Sequence, residues 1–317
     1  MTAPSPVLPP MRETRRDRPL YAIGLRLLAM MMLAATYTLG KLLVERGAHI
    51  TEITFYRQLF ALPVAAGWAF AMLGTAVWPN APMRTHAVRT ALGFTGMFFN
   101  FGAVALLPLA EATSIGFTMP IFATVLSALL LKEPTGPRRW AAVLVGFVGV
   151  VIMAHPESAN FASIGLFVAL GGAFVTAVVA IVLRDLGRTD SPPVIVFWFT
   201  LLSLPPLGLI MLWFAQAHDP LSWALFVLLG LSGGAAQLLM TSALRWGPIS
   251  IVIPMDYSQM IWATWAGWMF WSTWPAPSTW IGAALIAISG LYIAWREHVR
   301  RREPTISPDE DRAGRSG

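Results

Sequence analysis

Three features of this 317-residue sequence predict an all-α integral membrane fold, with ten transmembrane helices arranged as two inverted five-helix repeats. The chain is 56% hydrophobic and only 12% charged, with a mean hydropathy of +0.63, a composition that excludes an ordinary soluble domain. Its apolar stretches run about 20 residues each, the length needed to cross about 30 Å of hydrocarbon. The two halves are also weak copies of each other. Ile53-Thr54-Phe55-Tyr56-Arg57-Gln58-Leu59, with Leu62-Pro63 after it, reappears as Ile195-Val196-Phe197-Trp198-Phe199-Thr200-Leu201 with Leu204-Pro205. Leu92-Gly93-x-Thr95-Gly96-x3-Asn100 reappears as Leu229-Gly230-x-Ser232-Gly233-x3-Gln237.

Taken in order, the spans fall at about 20–42, 51–73, 87–108, 110–131, 138–154, 160–183, 193–215, 222–244, 247–271 and 278–295. Each is read as a helix because an open sheet would leave backbone groups unpaired in lipid. An odd number of spans per copy forces the second copy into the membrane upside down. Inverted repeats of this kind place a binding site near the bilayer midplane, where it can face either side in turn. The division expected is a first five-helix repeat over 19–155 and a second over 156–298. Residues 1–18 and 299–317, rich in Pro, Arg, Ser and acidic groups, read as disordered cytoplasmic tails.

The net charge of +6 is a matter of orientation rather than of nucleic acid. With the N-terminus in the cytoplasm, every Lys and Arg falls on the cytoplasmic side except Lys41 and Arg46 on the other face and Arg26 and Arg57 within spans. That is a strong positive-inside bias, and an even helix count then puts both termini in the cytoplasm. The start does not read as a cleaved signal peptide, since the apolar run after Arg18 is too long for one. The absence of cysteine excludes disulfides, thiol chemistry and Cys-ligated metals. No cofactor or metal is called for. The partners expected are a small-molecule substrate and membrane lipids, with the chain a monomer or homodimer.

Several stretches resemble the drug/metabolite transporter superfamily, specifically its ten-helix EamA-type branch. In the first half they are Phe55-Tyr56-Arg57, then Leu107-Pro108-Leu109-Ala110-Glu111-Ala112-Thr113 on to Pro120, Leu131-Lys132-Glu133, and Arg139-Trp140. In the second they are Ile253-Pro254-Met255-Asp256-Tyr257, Gly267-Trp268, Trp280-Ile281-Gly282-Ala283, and Gly290-Leu291-Tyr292-Ile293 to Arg296-Glu297. The likeness covers about residues 20–298. It implies secondary transport of a small organic metabolite across a bacterial inner membrane by alternating access, and it leaves the substrate open. An amino-acid-like solute moving outward is the expectation, with uptake of a vitamin or nucleoside-like metabolite, or lipid flipping, as alternatives. Family members usually carry an acid after the ninth helix mirroring Glu133; here Trp271-Ser272-Thr273-Trp274-Pro275 stands there and offers no carboxylate to mirror it.

Ionisable groups deep in a membrane cost about 2.5–3.5 kcal/mol each on insertion scales and need a reason to be there. Asp256 leads the candidates, roughly 14 Å into the ninth span and close to the midplane. It follows Pro254, whose missing N–H frees a carbonyl, and precedes Tyr257 and Gln259. A carboxylate there can bind an amine or take up a proton; the alternative is a buried acid tied to neighbouring hydroxyls. Pro120 occupies a similar place in the fourth span, and interrupted helices in corresponding places point to a binding site. Thr113, Ser114 and Thr118 lie near it. Asn100 and Gln237 are matched amides that either bond helix to helix or face each other across the axis and line the cavity. Trp262 and Trp265 lie deep enough to stack on a solute or to face lipid, while Trp271 and Trp274 suit an interfacial belt. Arg57 and Glu111 either serve helix ends separately or pair across the outer mouth as a gate. Arg26 is expected to snorkel to the near interface. Gly93, Gly96, Gly230, Gly234 and Gly267 are expected to permit close helix crossings.

Gly230-Leu231-Ser232-Gly233-Gly234 also matches the G-x-S-x-G pattern of hydrolases. No histidine falls deep in a predicted span to serve as its base. The sequence carries neither H-E-x-x-H for zinc nor G-x-x-x-x-G-K-[ST] for ATP, so no enzyme is expected.

Overall fold

The computed structural model describes residues 18–130, 136–153, 161–247 and 249–300. The expected tails lie almost wholly outside the described residues, and so does Glu133. Every regular element is helical: α1 (Pro19–Glu45), α2 (Ile50–Leu73), α3 (Met83–Leu106), α4 (Leu109–Gly116), α5 (Met119–Leu130), α6 (Pro137–Met153), α7 (Phe161–Leu186), α8 (Pro192–Met211), α9 (Pro220–Trp246), α10 (Ile249–Val252), a 3₁₀ turn (Ile253–Ser258), α11 (Gln259–Trp271) and α12 (Pro277–Arg300). Each repeat contributes five spanning units. The fourth is α4 followed by α5, and the ninth is α10, the 3₁₀ turn and α11.

Six of these units are long and apolar enough to cross a membrane by composition alone. The others depart from that standard for visible reasons. Helices α2 and α3 have 24 residues each, about 36 Å at 1.5 Å per residue, but carry Glu52 and Arg57, or Arg84, His86 and Arg89. Helix α6 has 17 residues, and the ninth unit is broken by proline. Ring clash and the missing N–H of Pro120 fall on the carbonyl of Gly116, four residues back, and α4 ends at that residue. Pro254 likewise gives up the bond to the Ser250 carbonyl, and the chain tightens into the 3₁₀ turn from Ile253.

The packing is two-fold in pattern. Helix α1 lies on α9 as its counterpart α7 lies on α3, and α2 meets α9 as α8 meets α3. Three pairs map onto themselves when the halves are exchanged: α2 with α8, α6 with α12, and α4 with α11. Since each half crosses the membrane five times, the axis relating them lies in the membrane plane. Glycines sit where helices close up. Side chains of α2 (Phe60 and Val64) fill the places left by Gly230 and Gly234 of α9, and Phe199 and Val175 those left by Gly93 and Gly96 of α3. Gly267 differs from this expectation, because its open side meets Thr273 of its own span's end rather than another helix. At the α6–α12 seam a Cβ on Gly149 would stand 2.7 Å from the Gly282 carbonyl oxygen, so two backbones touch there. The end of the bundle where α1 begins and α12 ends is called the terminal face below, and the opposite end the distal face.

Candidate functional site

The two broken spans face each other and leave a cavity of about 700 Å³ between them, walled also by α1, α3, α7, α9 and α12. That volume lies in the range of small-molecule sites. Most of the wall is alanine and aliphatic side chain, with polar groups at intervals. Its lining runs from Arg184 and Leu244, at the terminal-face ends of α7 and α9, to Val104 and Ala112 in the distal half.

Asp256 stands in this wall on the 3₁₀ turn, and Arg26 of α1 grips it with two parallel hydrogen bonds. Arg26 Nη2 donates to Oδ2 at 2.6 Å, Nε donates to Oδ1, and Nη1 donates to the Met240 carbonyl at 3.1 Å. The expectation that Arg26 snorkels to the interface is therefore corrected. A carboxylate within reach turns the guanidinium inward, since a bidentate pair satisfies donors that would otherwise need water. The alternative of Asp256 tied to hydroxyls is corrected for the same reason. The pair is unequally exposed, with 7% of the Arg26 side chain accessible and 30% of Asp256, so the carboxylate is the member more open to the cavity.

Tyr257 and Gln259 also line the cavity. The Tyr257 ring stands edge-on to Phe117 at the break between α4 and α5, with centroids 4.8 Å apart. Its hydroxyl occupies the place a side chain at Gly290 would take. Thus the two interrupted spans bring one aromatic ring each to the same spot. Tyr37, Asn100 and Pro120 line the wall as well. Of the three residues near Pro120, only Thr113 belongs to the cavity wall, and its hydroxyl oxygen is buried without a hydrogen-bond partner in the protein. Ser114 donates to Ala110 at 2.7 Å and Thr118 to Ile115 at 2.7 Å, so Thr118 closes a helix end rather than serving the wall.

Three further expectations fail on geometry. Asn100 and Gln237 do not face each other: Asn100 lines the large cavity against α7, where a Cβ on Gly172 would meet its Oδ1. Gln237 lines a separate hollow of about 20 Å³ beside Arg57, Gln58 and Phe199, turned toward α2 and α8 rather than α1. Trp262 lies outside the cavity wall, its indole N–H buried without a partner, and Pro254 shapes the turn from behind. The Arg57–Glu111 gate is absent too. Helix α2 packs on α8 and α9, away from α4, and the Arg57 guanidinium donates to Gln58 Oε1 at 2.8 Å and to Met97 Sδ at 3.5 Å.

The basic partner near Glu111 is instead Lys41 of α1. Lys41 Nζ donates to the Val104 carbonyl at 2.9 Å and the Leu107 carbonyl at 2.7 Å, tying α1 to the distal end of α3. Its ammonium also stands over the Trp271 ring, 5.5 Å from the centroid, while Trp271 donates to Glu45. Thr279 of α12 also stands near Glu111. These contacts cluster at the distal side of the cavity, where Lys41 holds the carbonyl of the wall residue Val104. The sequence offered a weak signal for them, since Lys41 is one of only two basic residues expected on that face.

Comparison with known proteins settles the family. The EamA-like transporter profile matches residues 20–154 and again 163–295, one match per repeat. This chain belongs to the EamA-like transporter family. It is a multi-pass membrane protein and a transporter of small metabolites, as its named relatives in this family are. It is 30% identical to a riboflavin transporter of Vibrio cholerae over 70% of this chain and 75% of that one. Identity is 31% to a riboflavin transporter of Rhizobium johnstonii, over 78% and 80%. To an S-adenosylmethionine uptake transporter of Rickettsia felis it is 26%, over 88% and 94%. A crystal structure of a protein 22% identical superposes with a TM-score of 0.59 over 87% of this chain and 95% of that one, a likeness of fold alone. Transporters rather than enzymes populate this family, and Ser232 of the hydrolase-like pattern bonds Leu229 and meets Thr36 Oγ1 at 3.0 Å, a contact between packed helices.

Proposed function

We propose that this EamA-like transporter takes up a flat, ring-bearing metabolite with little net charge, of the vitamin or nucleoside-like class, with a flavin such as riboflavin as the first candidate. The carrying observation is the character of the cavity. Phe117 and Tyr257 offer ring surface for a heterocycle, Asn100 and Gln259 offer hydrogen bonds, and the fixed charges of Arg26 and Asp256 are engaged with each other. An amino acid, the solute first expected from the resemblance, brings an ammonium and a carboxylate that would have to break that pair. The Vibrio and Rhizobium relatives are named for riboflavin, which supports a ring-bearing vitamin, and the Rickettsia relative is named for uptake of S-adenosylmethionine, which supports the inward direction.

Asp256, Tyr257, Gln259 and Asn100 are the substrate contacts in this reading, and Arg26 joins them as the residue that positions Asp256. The terminal face is cytoplasmic, which places the basic loop residues inside, in the inner membrane of a bacterium. The described state is then open toward the cytoplasm and closed outside by Lys41, Glu111 and Trp271. The two breaks, at Pro120 and Pro254, are where the spans flex as the site changes face.

The test is uptake of labelled riboflavin, S-adenosylmethionine and a panel of amino acids by purified protein in liposomes, with and without a pH gradient. Saturable riboflavin uptake that amino acids fail to compete supports the reading. S-adenosylmethionine accumulation alone would transfer the assignment to a cation held by the exposed Asp256 carboxylate. Amino-acid flux alone would overturn it.

A further inference from the structure

Away from the cavity, the two repeats are fastened to each other by one device built twice. At the distal face the Glu52 carboxylate, in the first turn of α2 and fully buried, is held by the loop that joins α8 to α9. The Gln216 amide donates to Glu52 Oε1 at 3.0 Å, and His218 Nε2 meets the same oxygen at 2.8 Å. At the terminal face the Asp190 carboxylate, just before α8 and also buried, is held by the loop that joins α2 to α3 and by the first turn of α3. The Asn80 amide donates to Asp190 Oδ1 at 2.6 Å, the Ala81 amide adds a donor at 3.3 Å, and His86 Nε2 meets Oδ2 at 2.7 Å. Exchanging the repeats carries one clasp onto the other. In each, a carboxylate at the start of one repeat's second span is gripped by a backbone N–H and an imidazole at the entry to the other repeat's third span. Between the two clasps, Gln58 Nε2 of α2 donates to Ser203 Oγ of α8 at 2.7 Å, with both side chains buried.

A gate between inverted repeats is shut on one face of the membrane while its counterpart is open on the other. These clasps are shut on both faces at once, and neither α2 nor α8 contributes a residue to the cavity wall. From this we infer that the α2–α8 seam is the pivot of the transport cycle. It stays joined at both faces while α1, α7 and the two broken spans swing on the cavity side, opening one end and closing the other. Parting a clasp would strand a buried carboxylate without its donors, a heavy cost. On the cavity side, by contrast, the hydrogen bond from Trp271 to Glu45 that joins α11 to α1 is exposed, so water takes it over when the helices separate. The inference rests on the reading of this chain as an alternating-access carrier, and it holds for any solute.

The experiment places cysteine pairs in the full-length protein, which has no cysteine of its own. Two pairs cross the seam. His49→Cys with Phe214→Cys replaces rings stacked 4.0 Å apart at the distal face. Asn80→Cys with Thr189→Cys replaces a side chain and its backbone partner, 3.3 Å apart, at the terminal face. The third pair, Glu45→Cys with Trp271→Cys, crosses the cavity side. Each is bridged by a short bifunctional thiol reagent, and riboflavin uptake into liposomes is measured. Bridging either seam pair should leave uptake within about twofold of the unbridged variant, and bridging the third should cut it at least about tenfold. Spin labels on the same pairs give a readout that needs no transported solute: one narrow distance across each seam pair, and two across the third. Loss of uptake on bridging a seam pair, or seam distances that shift with the third, overturns the proposal. So does a cavity-side bridge that leaves uptake intact, or a single unmoving distance at all three pairs. No riboflavin uptake by the unbridged variants would count against that solute alone, and the spin-label distances then decide the pivot.

Discussion

The first and second repeats share a fold and divide the chemistry unequally. Helix α1 carries Arg26 and Lys41 inside its span, whereas its counterpart α7 has no ionisable side chain before Arg184. The broken span of the first repeat lines the cavity with Phe117, Thr113, Thr124 and Ser127, none of them charged; that of the second lines it with Asp256, Tyr257 and Gln259. Arg57 of α2 has Phe199 as its counterpart on α8. The lesson is that the backbone needs only apolar repeats and two prolines to make the cavity. The charged side chains of α1 have no counterpart on α7, and they fix α1 to the second repeat at two heights: Arg26 to the 3₁₀ turn inside the bundle, and Lys41 beside Trp271 at the distal face.

Breaking that asymmetry at its strongest point gives the largest expected effect. Asp256→Leu leaves Arg26 charged and unpaired, a loss of about 3–5 kcal/mol when a buried pair is broken, and uptake should fall to background with a clear drop in melting temperature. Adding Arg26→Met should restore the melting temperature and leave transport absent. A double variant that melts like the single one would show that the pair does not hold α1 to the turn. Next in size is Lys41→Met. It frees α1 from the Val104 and Leu107 carbonyls and should raise the reactivity of an Ala112→Cys probe toward a membrane-impermeant thiol reagent by several-fold. The sequence has no cysteine to interfere, and unchanged labelling would count against a distal closure.

A smaller effect separates the two aromatic rings. Gly290→Ala places a methyl where the Tyr257 hydroxyl lies, so KM should rise by about fivefold, within the cost of a displaced contact. In a Tyr257→Phe background the same change should do much less, because the collision is with the hydroxyl; equal effects in both backgrounds would place the damage elsewhere. The smallest concerns the connection between α7 and α8. Burial works against the Asp190 carboxylate, yet hydrogen bonds from His86 and from the Asn80 and Ala81 amides hold its pKa below the usual 3.8. A group with a depressed folded pKa stabilises above its unfolded value, and that stability is lost as pH falls through the folded one. Melting temperature should therefore drop more steeply below about pH 4 in the native protein than in Asp190→Asn, a difference absent at pH 7.

Those differences between the copies also mark what could be read before the fold was seen. Spans, repeats and interrupted helices are properties of hydropathy and of single prolines, and Pro120 and Pro254 declare them locally. Asp256 was visible because a carboxylate near the midplane is rare whatever surrounds it. The partner of each charge was not, because it depends on the angle at which helices meet. Arg26 and Asp256 are 230 residues apart, and nothing along the chain tells that α1 passes the 3₁₀ turn with this face. For the same reason Glu111 looked like a mate for Arg57, a residue at similar depth on a helix that packs elsewhere, while Lys41 stood nearer. Gln237 matched Asn100 in register but points to another hollow, a distinction of side-chain direction that a repeat in sequence does not carry.

The mutual neutralisation of Arg26 and Asp256 has a bioenergetic consequence. Moving one elementary charge through 100 mV is worth about 2.3 kcal/mol, so a carrier whose site bore a bare arginine would be slowed or driven by the membrane voltage at each cycle. With the two charges cancelled inside the wall, this pair would add no electrical work to the crossing of the neutral solute proposed above, and transport measured at different imposed membrane voltages should show it.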